Sequence, residues 1–284
     1  MNILILGVSG MLGNAMIRVL SEKLGWQVYG TVRTENSRKL FRPEIAERLL
    51  SGVDVEHQDS LLQAFIRTRP DVVVNCIGLI KQLEDAEDPF QAISINSLLP
   101  HRLARLCELS GARLVHIGTD CVFAGDRGEY RESDSSDAKD LYGRSKFLGE
   151  VDYPHTITLR TSMIGHELQS AHGLVDWFLA QQERCNGFTK AIFSGLPTVT
   201  LAQIVRDIVI PRTDLHGVYH VAAQPISKYD LLKLVAEVYG KQIEIAPSDK
   251  LVVDRSLNAE RFRDATGYVP ASWPELIELM HNYR

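Results

Sequence analysis

The sequence predicts an α/β fold: a doubly wound parallel sheet with a smaller C-terminal α/β lobe. Three observations predict it. Strand-length runs such as "NILILG" and "DVVVNCIG" are apolar throughout, and amphipathic segments of helical length separate them. Strands without polar alternation are covered on both faces, which is typical of a parallel sheet between two layers of helices. The regular alternation loosens after Gly165, and this change predicts the smaller lobe.

The predicted elements follow one another along the chain. Five strands are predicted in the first part, in "NILILG", "WQVYGTV", "DVVVNCIG", "ARLVHIG" and "TITLRTSMIG". Helices are predicted over 11–24, 61–68 and 90–109, and later over 174–183, 201–210 and 228–239, with short strands near "GVYHVA" and "IEIA". We therefore expect a first domain over 1–165, rejoined by a segment near 217–223, and a second lobe over 166–284.

Composition and charge exclude several classes of function. The chain has 284 residues and a net charge of −5, so we expect neither nucleic acid nor an anionic membrane as a partner. No apolar run approaches the roughly 20 residues of a membrane span. The start, "MNILILG", enters a strand without the basic and small residues of a signal peptide. The four cysteines lack the close pairing of a zinc site. We expect a soluble, cytoplasmic protein without a metal.

A glycine-rich turn follows the first strand. In "GVSGMLG", Gly7, Gly10 and Gly13 flank Met11 and Leu12 where the first helix begins. Glycine here allows a tight turn and lets backbone N–H groups approach a pyrophosphate at the positive end of the helix. The alternative is an ordinary glycine-rich βα turn, because the spacing differs from the commonest dehydrogenase pattern. The position at the start of a parallel α/β chain favours a Rossmann-type, dinucleotide-binding domain over 1–165, with 166–284 mainly binding substrate.

The end of the second strand indicates which dinucleotide binds. Sites that prefer NAD usually place a carboxylate here, whereas an arginine favours the 2′-phosphate of NADP. Arg33 ends the stretch "VYGTVR", and no acidic residue precedes it on the strand. The alternative is a solvated loop arginine. The sequence therefore favours NADP(H).

Two Tyr-x-x-x-Lys pairs occur in the chain. Tyr142 and Lys146 in "YGRSK" share one helix face, which suits proton donation to a carbonyl, because a nearby ammonium favours the phenolate. Tyr229 and Lys233 form the second pair, in an amphipathic helix capped by Ser227, and we interpret that pair as structural. Only the first pair lies shortly after Thr119, at the end of "ARLVHIG": Tyr142 follows Thr119 by 23 residues, across a polar loop.

Taken in order, the motifs resemble those of extended short-chain dehydrogenases/reductases, and among them the sugar-nucleotide reductases of the dTDP-4-dehydrorhamnose reductase type. The resemblance covers nearly the whole chain and rests on "GVSGMLG", "DVVVNCIG", "INSLLPHRLARLC", "GTDCVFAGDRGEYRE", "LYGRSKFLGE" and the closing "DRSLNAERFRDATGY" with "SWPELI". It implies an NADPH-dependent oxidoreductase that reduces the C4 ketone of a nucleotide-activated 4-keto-6-deoxysugar, in the biosynthesis of deoxysugars and surface polysaccharides.

The resemblance also implies roles for individual residues. Thr119 matches the residue that hydrogen-bonds the substrate carbonyl, Tyr142 the proton donor, and Lys146 the residue that holds the nicotinamide ribose. Other matching positions imply contacts with the cofactor at Asp54, Val55, Asn75, Cys76, Ile77 and Gly78, and with the substrate at Lys81 and Arg255. A planar guanidinium suits a diphosphate, although Arg255 has the alternative of an ordinary surface arginine.

Cys121 departs from the rhamnose-type pattern, which usually has tyrosine there. It is similar to the cysteine of GDP-fucose synthase, a bifunctional 3,5-epimerase/4-reductase in which that residue pairs with a histidine. His172 falls close to the matching place, and His166 is its rival. A C–H epimerisation next to a ketone needs a base and an acid, which such a pair can supply. The alternative is that Cys121 only packs.

Two further functions are therefore weighed against the plain reductase. One is the bifunctional epimerase/reductase. The other is a non-catalytic NADP-binding regulatory subunit, similar to the β-subunit of methionine adenosyltransferase. A nucleotide sugar is the expected substrate, region 166–200 is expected to help select it, and a homodimer is one assembly left open.

Overall fold

The computed structural model describes residues 1–79, 87–169 and 171–284. The chain divides into two compact units. The first consists of Met1–Gly118, Lys139–Leu159 and Ala202–Val218. The second consists of Thr119–Ala138, Arg160–Leu201 and Tyr219–Arg284.

The described residues form strands and helices along both units. The strands are β1 (Asn2–Leu6), β2 (Gln27–Thr31), β3 (Leu49–Leu50), β4 (Val72–Asn75), β5 (Arg113–Ile117), β6 (Thr156–Arg160), β7 (Met163–Ile164), β8 (Arg184–Phe188), β9 (Ala191–Phe193), β10 (Leu196–Pro197), β11 (Gly217–His220), β12 (Ile226–Ser227), β13 (Glu244–Ser248) and β14 (Val253–Asp254). The helices are α1 (Met11–Ser21), α2 (Glu35–Arg38), α3 (Pro43–Ala46), α4 (Gln58–Thr68), α5 (Pro89–Gln91), α6 (Leu99–Ser110), α7 (Leu141–Leu148), α8 (Leu174–Ala180), α9 (Thr198–Ile204), α10 (Lys228–Val238), α11 (Glu260–Thr266) and α12 (Trp273–Asn282). Among the described helices, none combines the length and apolarity needed to cross a membrane.

The first unit is built on a seven-stranded sheet with the order β11-β6-β5-β4-β1-β2-β3. The pairings from β3 to β6 are parallel. This order confirms the predicted doubly wound class, because the chain starts at β1, builds outward to β3, and then crosses to β4 on the other side. Ligands in such sheets bind at the carboxyl ends of the strands where the direction of winding reverses, which here lies between β1 and β4.

One core cluster of the first unit lies between this sheet and helices α4 and α6. Leu4 and Leu6 of β1 are fully buried there, in one cluster with Phe65 of α4 and Leu103 of α6. Each long side chain buried in this way contributes about 1.5–3 kcal/mol. The cluster therefore fixes the strands whose carboxyl ends carry the predicted site.

Two arginines hold residues 202–218 in the first unit. Arg113, at the start of β5, donates to the carbonyl oxygens of Val209 and Leu215. Arg206 donates to Val19 O over 3.3 Å and pairs with Glu22 over 2.7 Å. These contacts join residues that lie far apart in the sequence, and they attach residues 202–218 to β5 and α1.

In the described part of the second unit, the strands form three small sheets, with the orders β10-β7, β12-β9-β14 and β13-β8. Strand β8 pairs in parallel with β13, and β9 pairs antiparallel with β12 and parallel with β14. Helix α12 begins with a capping box, in which Ser272 and Glu275 satisfy each other's backbone N–H groups. The smaller α/β lobe predicted from the sequence is thus confirmed as a class of structure.

Candidate active site

The turn after β1 has the geometry that a diphosphate requires. Gly7 has a φ of +82°, which favours glycine, and Gly10 donates its N–H to Gly7 O over 3.2 Å. Gly10 is the N-cap of helix α1, and having no side chain it leaves the first helical N–H groups uncapped. Met11, Leu12 and Gly13 form the first turn of the helix. A methyl group on Gly13 would lie 2.1 Å from Gly7 O, so this turn needs glycine. Because the first N–H groups of a helix lack intrahelical partners and carry the positive dipole end, these residues fit a pyrophosphate.

The edge beyond β2 carries charges of both signs. Arg33 is exposed, two residues after β2. Asp54 accepts hydrogen bonds from the backbone N–H of Glu56 and from His57 Nδ1, at 3.0 and 2.9 Å. The Glu56 hydrogen bond, with smaller contributions from His57 and Arg33, lowers the pKa of Asp54. Val55 is buried beside it. The exposed guanidinium of Arg33 fits the 2′-phosphate of NADP, and it is close enough to the Asp54 carboxylate to affect its pKa.

The carboxyl end of β4 connects two parts of the predicted site. Asn75 is fully buried, and its Oδ1 accepts the N–H of Ile77 over 3.1 Å. A methyl group on Gly7 would lie 2.7 Å from Ile77 Cγ1, so Ile77 lies directly against the glycine turn. Burial raises the pKa of the Cys76 thiol to about 12, which keeps the thiol protonated at neutral pH. The segment from Asn75 to Gly78 therefore forms one wall beside the turn after β1.

Helix α7 carries the predicted Tyr-x-x-x-Lys pair. Its first residues are capped by Asp140, whose Oδ1 accepts the N–H of Gly143 over 2.8 Å. Tyr142 is half-buried and Lys146 is buried, one helical turn apart on the same face. Lys146 Nζ lies 3.4 Å from Ile117 O, at the end of β5, and 3.2 Å from where a methyl group on Gly78 would be. The structure thus brings the lysine to the carboxyl ends of both β4 and β5.

Sequence reasoning missed the polar contacts that support this helix. Asn96 accepts the N–H of Leu79 over 2.9 Å through Oδ1 and donates to Ser145 Oγ over 3.2 Å through Nδ2. Ser145 Oγ in turn donates to Tyr142 O over 2.9 Å. Asn96 lies in a π-helical turn, Ala92–Leu98, directly before α6. The signal in the sequence is Pro100, which cannot donate to the carbonyl four residues earlier and so disturbs the helix at Asn96.

Thr119 and Cys121 lie in the second unit, in a short turn after β5. Thr119 Oγ1 accepts the N–H of Cys121 and donates to Asp120 Oδ1, both over 3.2 Å. Burial raises the pKa of Asp120, although Arg255 opposes the shift. Burial, with a smaller contribution from Asp120, raises the pKa of Cys121 to about 12. The thiol is therefore protonated at neutral pH and suits an acid better than a base.

Arg255 is held beside this turn, within the same unit. Its Nε donates to Phe123 O over 2.8 Å, and the guanidinium is half-buried. Lys81, the other predicted substrate residue, lies outside the described residues.

The two candidate histidines differ in their surroundings. His166 contacts Asp176 Oδ1 through Nδ1 over 2.9 Å and Tyr239 Oη through Nε2 over 2.8 Å, so both ring nitrogens are engaged. His172 has an exposed side chain, and its backbone N–H donates to Glu167 Oε2 over 2.7 Å. The His166 ring would have to give up a hydrogen bond to Asp176 or Tyr239 in order to bind a ligand, whereas the exposed His172 ring would not.

The second Tyr-x-x-x-Lys pair belongs to a packed helix. Lys233 Nζ lies 5.4 Å from the centre of the Tyr229 ring, and Ser227 Oγ accepts the N–H of Asp230 over 3.0 Å at the start of α10. Tyr229 packs on β8, where a methyl group on Gly187 would lie 2.7 Å from its Cδ2. The predicted Ser227 cap is confirmed. Among the described residues, no group of three or more His, Cys, Asp or Glu side chains is placed to hold a metal ion.

Known proteins resemble this chain over most of its length. The probable low-salt glycan biosynthesis reductase Agl14 of Haloferax volcanii is 25% identical over 271 residues, covering 91% of this chain and 85% of that protein. The dTDP-4-keto-6-deoxy-D-glucose reductase of Streptomyces niveus is 27% identical over 263 residues, covering 87% and 83%. The crystal structure of dTDP-4-dehydrorhamnose reductase from Bacillus anthracis, in complex with NADP, has the same fold, with a TM-score of 0.79, 21% identity and 99% coverage of both chains.

A family model supplies the assignment. The model described as the RmlD substrate binding domain matches residues 1–273, which leaves α12 after its first residue, Trp273, and the two residues that follow the helix outside the match. The chain belongs to the RmlD substrate binding domain family.

Proposed function

We propose that this chain is an NADPH-dependent reductase of the C4 ketone of a nucleotide-activated 4-keto-6-deoxysugar. The observation that carries the proposal is the position of Lys146, whose Nζ reaches the carboxyl ends of β4 and β5 while Tyr142 lies on the same helix face. The reductase names of the two relatives support the same reaction class.

The first unit would hold the cofactor. The amides after Gly10 would bind the pyrophosphate, Arg33 the 2′-phosphate, and Asp54 and Val55 would flank the adenine. The wall formed by Asn75, Cys76, Ile77 and Gly78 would line the nicotinamide end. When bound, NADPH supplies the hydride for C4.

The remaining chemistry belongs to three side chains. Tyr142 donates the proton that the C4 oxygen needs as the ketone becomes an alcohol. Lys146 binds the nicotinamide ribose, and its ammonium favours the phenolate that Tyr142 leaves behind. Thr119 orients the carbonyl through its hydroxyl. Lys81 and Arg255 bind the substrate, with the guanidinium suited to a diphosphate.

The experiment uses un-epimerised 4-keto-6-deoxysugars on different nucleotides, each incubated with the protein and NADPH in deuterium oxide. NADPH absorbance and product mass are followed together, with Tyr142→Phe as the control variant. NADPH consumption that Tyr142→Phe abolishes supports the reductase. NADPH binding without consumption, also on pre-epimerised sugars, contradicts it and favours the regulatory-subunit alternative.

The same experiment decides the bifunctional alternative. Epimerisation exchanges a carbon-bound proton with solvent, so deuterium retained on carbon would support the bifunctional alternative, in which Cys121 and His172 would act as the acid and the base. Product without such deuterium would identify a plain reductase in which Cys121 packs.

The proposal also covers location and assembly. Cys76, Cys107, Cys121 and Cys185 are all free thiols, which supports the reducing environment of the cytoplasm. Several apolar side chains of the first unit are exposed, which supports a homodimer through that surface: Phe90, Ile93, Leu98, Phe147 and Leu148. Sedimentation of the wild type and of Leu148→Glu tests the dimer.

A further inference from the structure

A fully buried histidine lies inside the central sheet. His116 is the only polar residue of the stretch "LVHI" in β5, and none of its surface is exposed. Its Nδ1 lies 3.1 Å from Asn75 Nδ2. Its Nε2 has no hydrogen-bond partner among the described residues. An apolar residue would fill a central strand without the cost of burying a polar ring, so the ring calls for a reason.

The hydrogen bonds of Asn75 decide which ring nitrogen carries the proton. Asn75 Oδ1 accepts the N–H of Ile77, so its amide NH₂ faces His116. The NH₂ group only donates, and Nδ1 must therefore be the unprotonated acceptor. The proton of a neutral His116 ring is then on Nε2.

The surroundings keep this ring neutral. Burial is the main cause that lowers the pKa of His116 well below its ordinary value, and smaller electrostatic contributions from Lys146 on α7 and His101 on α6 act in the same direction. A second proton would go to Nδ1, which would then confront the NH₂ of Asn75. Charge and hydrogen-bond geometry therefore favour the same state of the ring.

Asn75 holds the segment from Cys76 to Gly78, which lies against the turn at Gly7 and against Lys146. Its Oδ1 fixes the N–H of Ile77, and Ile77 lies against the turn at Gly7. The next residue, Gly78, lies beside Lys146 Nζ. A rotated Asn75 amide would turn its NH₂ toward the Ile77 N–H and displace this segment from both neighbours.

We propose that His116 is a positioning residue for the cofactor: its Nδ1 fixes the amide of Asn75 and so holds the segment from Cys76 to Gly78 against the glycine turn and Lys146. The inference rests on the proposed function only in taking NADPH as the molecule that meets this segment. His116 contacts no reacting atom in this role.

The first test measures NADPH binding to the full chain by fluorescence. His116→Leu removes the acceptor, whereas His116→Asn can present its Oδ1 where Nδ1 lies. We expect His116→Leu to raise the Kd about tenfold, the size expected for losing one buried hydrogen bond, and His116→Asn to stay within about twofold of wild type. His216→Leu, at an exposed position of the same unit, serves as the matched control. A folded His116→Leu variant that binds NADPH as wild type does, or a His116→Asn variant as weak as His116→Leu, would overturn the proposal.

The second test does not depend on cofactor or on turnover. Two-bond proton–nitrogen NMR of ring-labelled histidine identifies the tautomer, and the signal missing from His116→Asn belongs to His116. We expect the Nε2–H form, unchanged as the pH is lowered from about 8 to 5, below the ordinary histidine value. An Nδ1–H form, or titration within that range, would overturn the proposal. If the wild type reduces no keto-sugar, the proposed function fails, while this spectrum still decides the role of His116.

Discussion

The same added methyl group is expected to have different effects at two glycines of the first turn, Gly10 and Gly13. At Gly13, a methyl carbon would lie 2.1 Å from Gly7 O and 2.7 Å from Val8 Cα. At Gly10, apart from its two neighbours in the chain, Gly7 O is the only atom of the described residues within 4 Å, at an ordinary contact distance of 3.5 Å. Gly13→Ala should therefore damage the fold, whereas Gly10→Ala should damage only what binds in front of the helix.

The magnitudes follow from these contacts. Overpacking a well-packed site costs about 1–3 kcal/mol, and a clash of more than 1 Å with backbone atoms puts Gly13→Ala at about 3 kcal/mol or more. Gly10 has φ −77° and ψ 162°, which alanine adopts freely, so the less flexible unfolded chain contributes about 0.4–1 kcal/mol of stability. Alanine is a poorer N-cap than glycine, which costs about as much. The free energy of unfolding of Gly10→Ala should therefore stay within about 0.5 kcal/mol of wild type, since these two contributions offset each other.

The assay combines urea unfolding of the cofactor-free protein with an NADPH titration. Gly10→Ala should unfold with wild type but bind NADPH at least about tenfold more weakly, because the methyl group blocks the approach of the pyrophosphate to the helix amides. A Gly10→Ala protein with wild-type Kd would refute the assignment of this turn to the cofactor. A Gly13→Ala protein with wild-type stability would refute the close contact with Gly7.

Three further outcomes are expected. Tyr142→Phe should lower kcat about a hundredfold or more while the NADPH Kd stays constant, because only the proton donor is lost, and a steady-state assay with unchanged kcat would contradict this. Cys121 should react slowly with iodoacetamide at neutral pH and faster as the pH rises, since burial raises its thiol pKa to about 12; rapid neutral labelling that is absent in Cys121→Ser would argue against it. Burial and Arg160 lower the pKa of His220 to about 3, so between about pH 6.5 and pH 3 only the unfolded chain takes up a proton there. The free energy of unfolding should therefore fall by about 1.4 kcal/mol per pH unit from pH 6.5 toward pH 3. Denaturant titrations of His220→Gln should show a shallower dependence on pH.

The strands of the first unit could be predicted because their signal is local. "NILIL", "VVVN" and "RLVHI" are apolar runs of strand length, and the structure has β1, β4 and β5 there. The glycine turn could be predicted equally well, because the positive φ of Gly7 and the close approach of Gly13 to Gly7 O require glycine at fixed spacing. Period and residue type are sufficient for such elements.

Other features depend on contacts that no window of sequence contains. The helix predicted over 90–109 is interrupted by the π-helical turn Ala92–Leu98, which reflects the missing N–H of Pro100 and the approach of Gly149 to the freed backbone at Asn96. A methyl group on Gly149 would lie 1.9 Å from Asn96 O, a constraint between residues far apart in the chain. The choice between His166 and His172 likewise needed the positions of Asp176 and Tyr239, because residue type alone gives both rings the same chemistry.

Helix α7 shows why hydrophobic patterning fails where the chemistry is expected. Its buried residues are Gly143, Ser145 and Lys146, while Phe147 and Leu148 are 42% and 62% exposed. An amphipathic helix held by apolar burial would show the reverse pattern. This helix is held instead by its cap and by the hydrogen bonds of Ser145 and Lys146, each worth about 0.5–1.5 kcal/mol.

The same inversion occurs in β5, where His116 is buried in an otherwise apolar strand. Both exceptions meet at Lys146: its charge adds to burial, the main cause, in lowering the pKa of His116, and its Nζ lies at the end of that strand. Local rules of patterning are broken in natural proteins mainly where a functional arrangement requires it. Two violations that converge on one ammonium group are therefore an argument, independent of any motif, that the carboxyl ends of β4 and β5 are where this protein works. If so, replacing Ser145 by Leu would improve the hydrophobic pattern of α7 and still overpack a buried site and remove the acceptor of Asn96 Nδ2. We therefore expect Ser145→Leu to displace Tyr142 and to lose turnover, and a variant with wild-type turnover would contradict the argument.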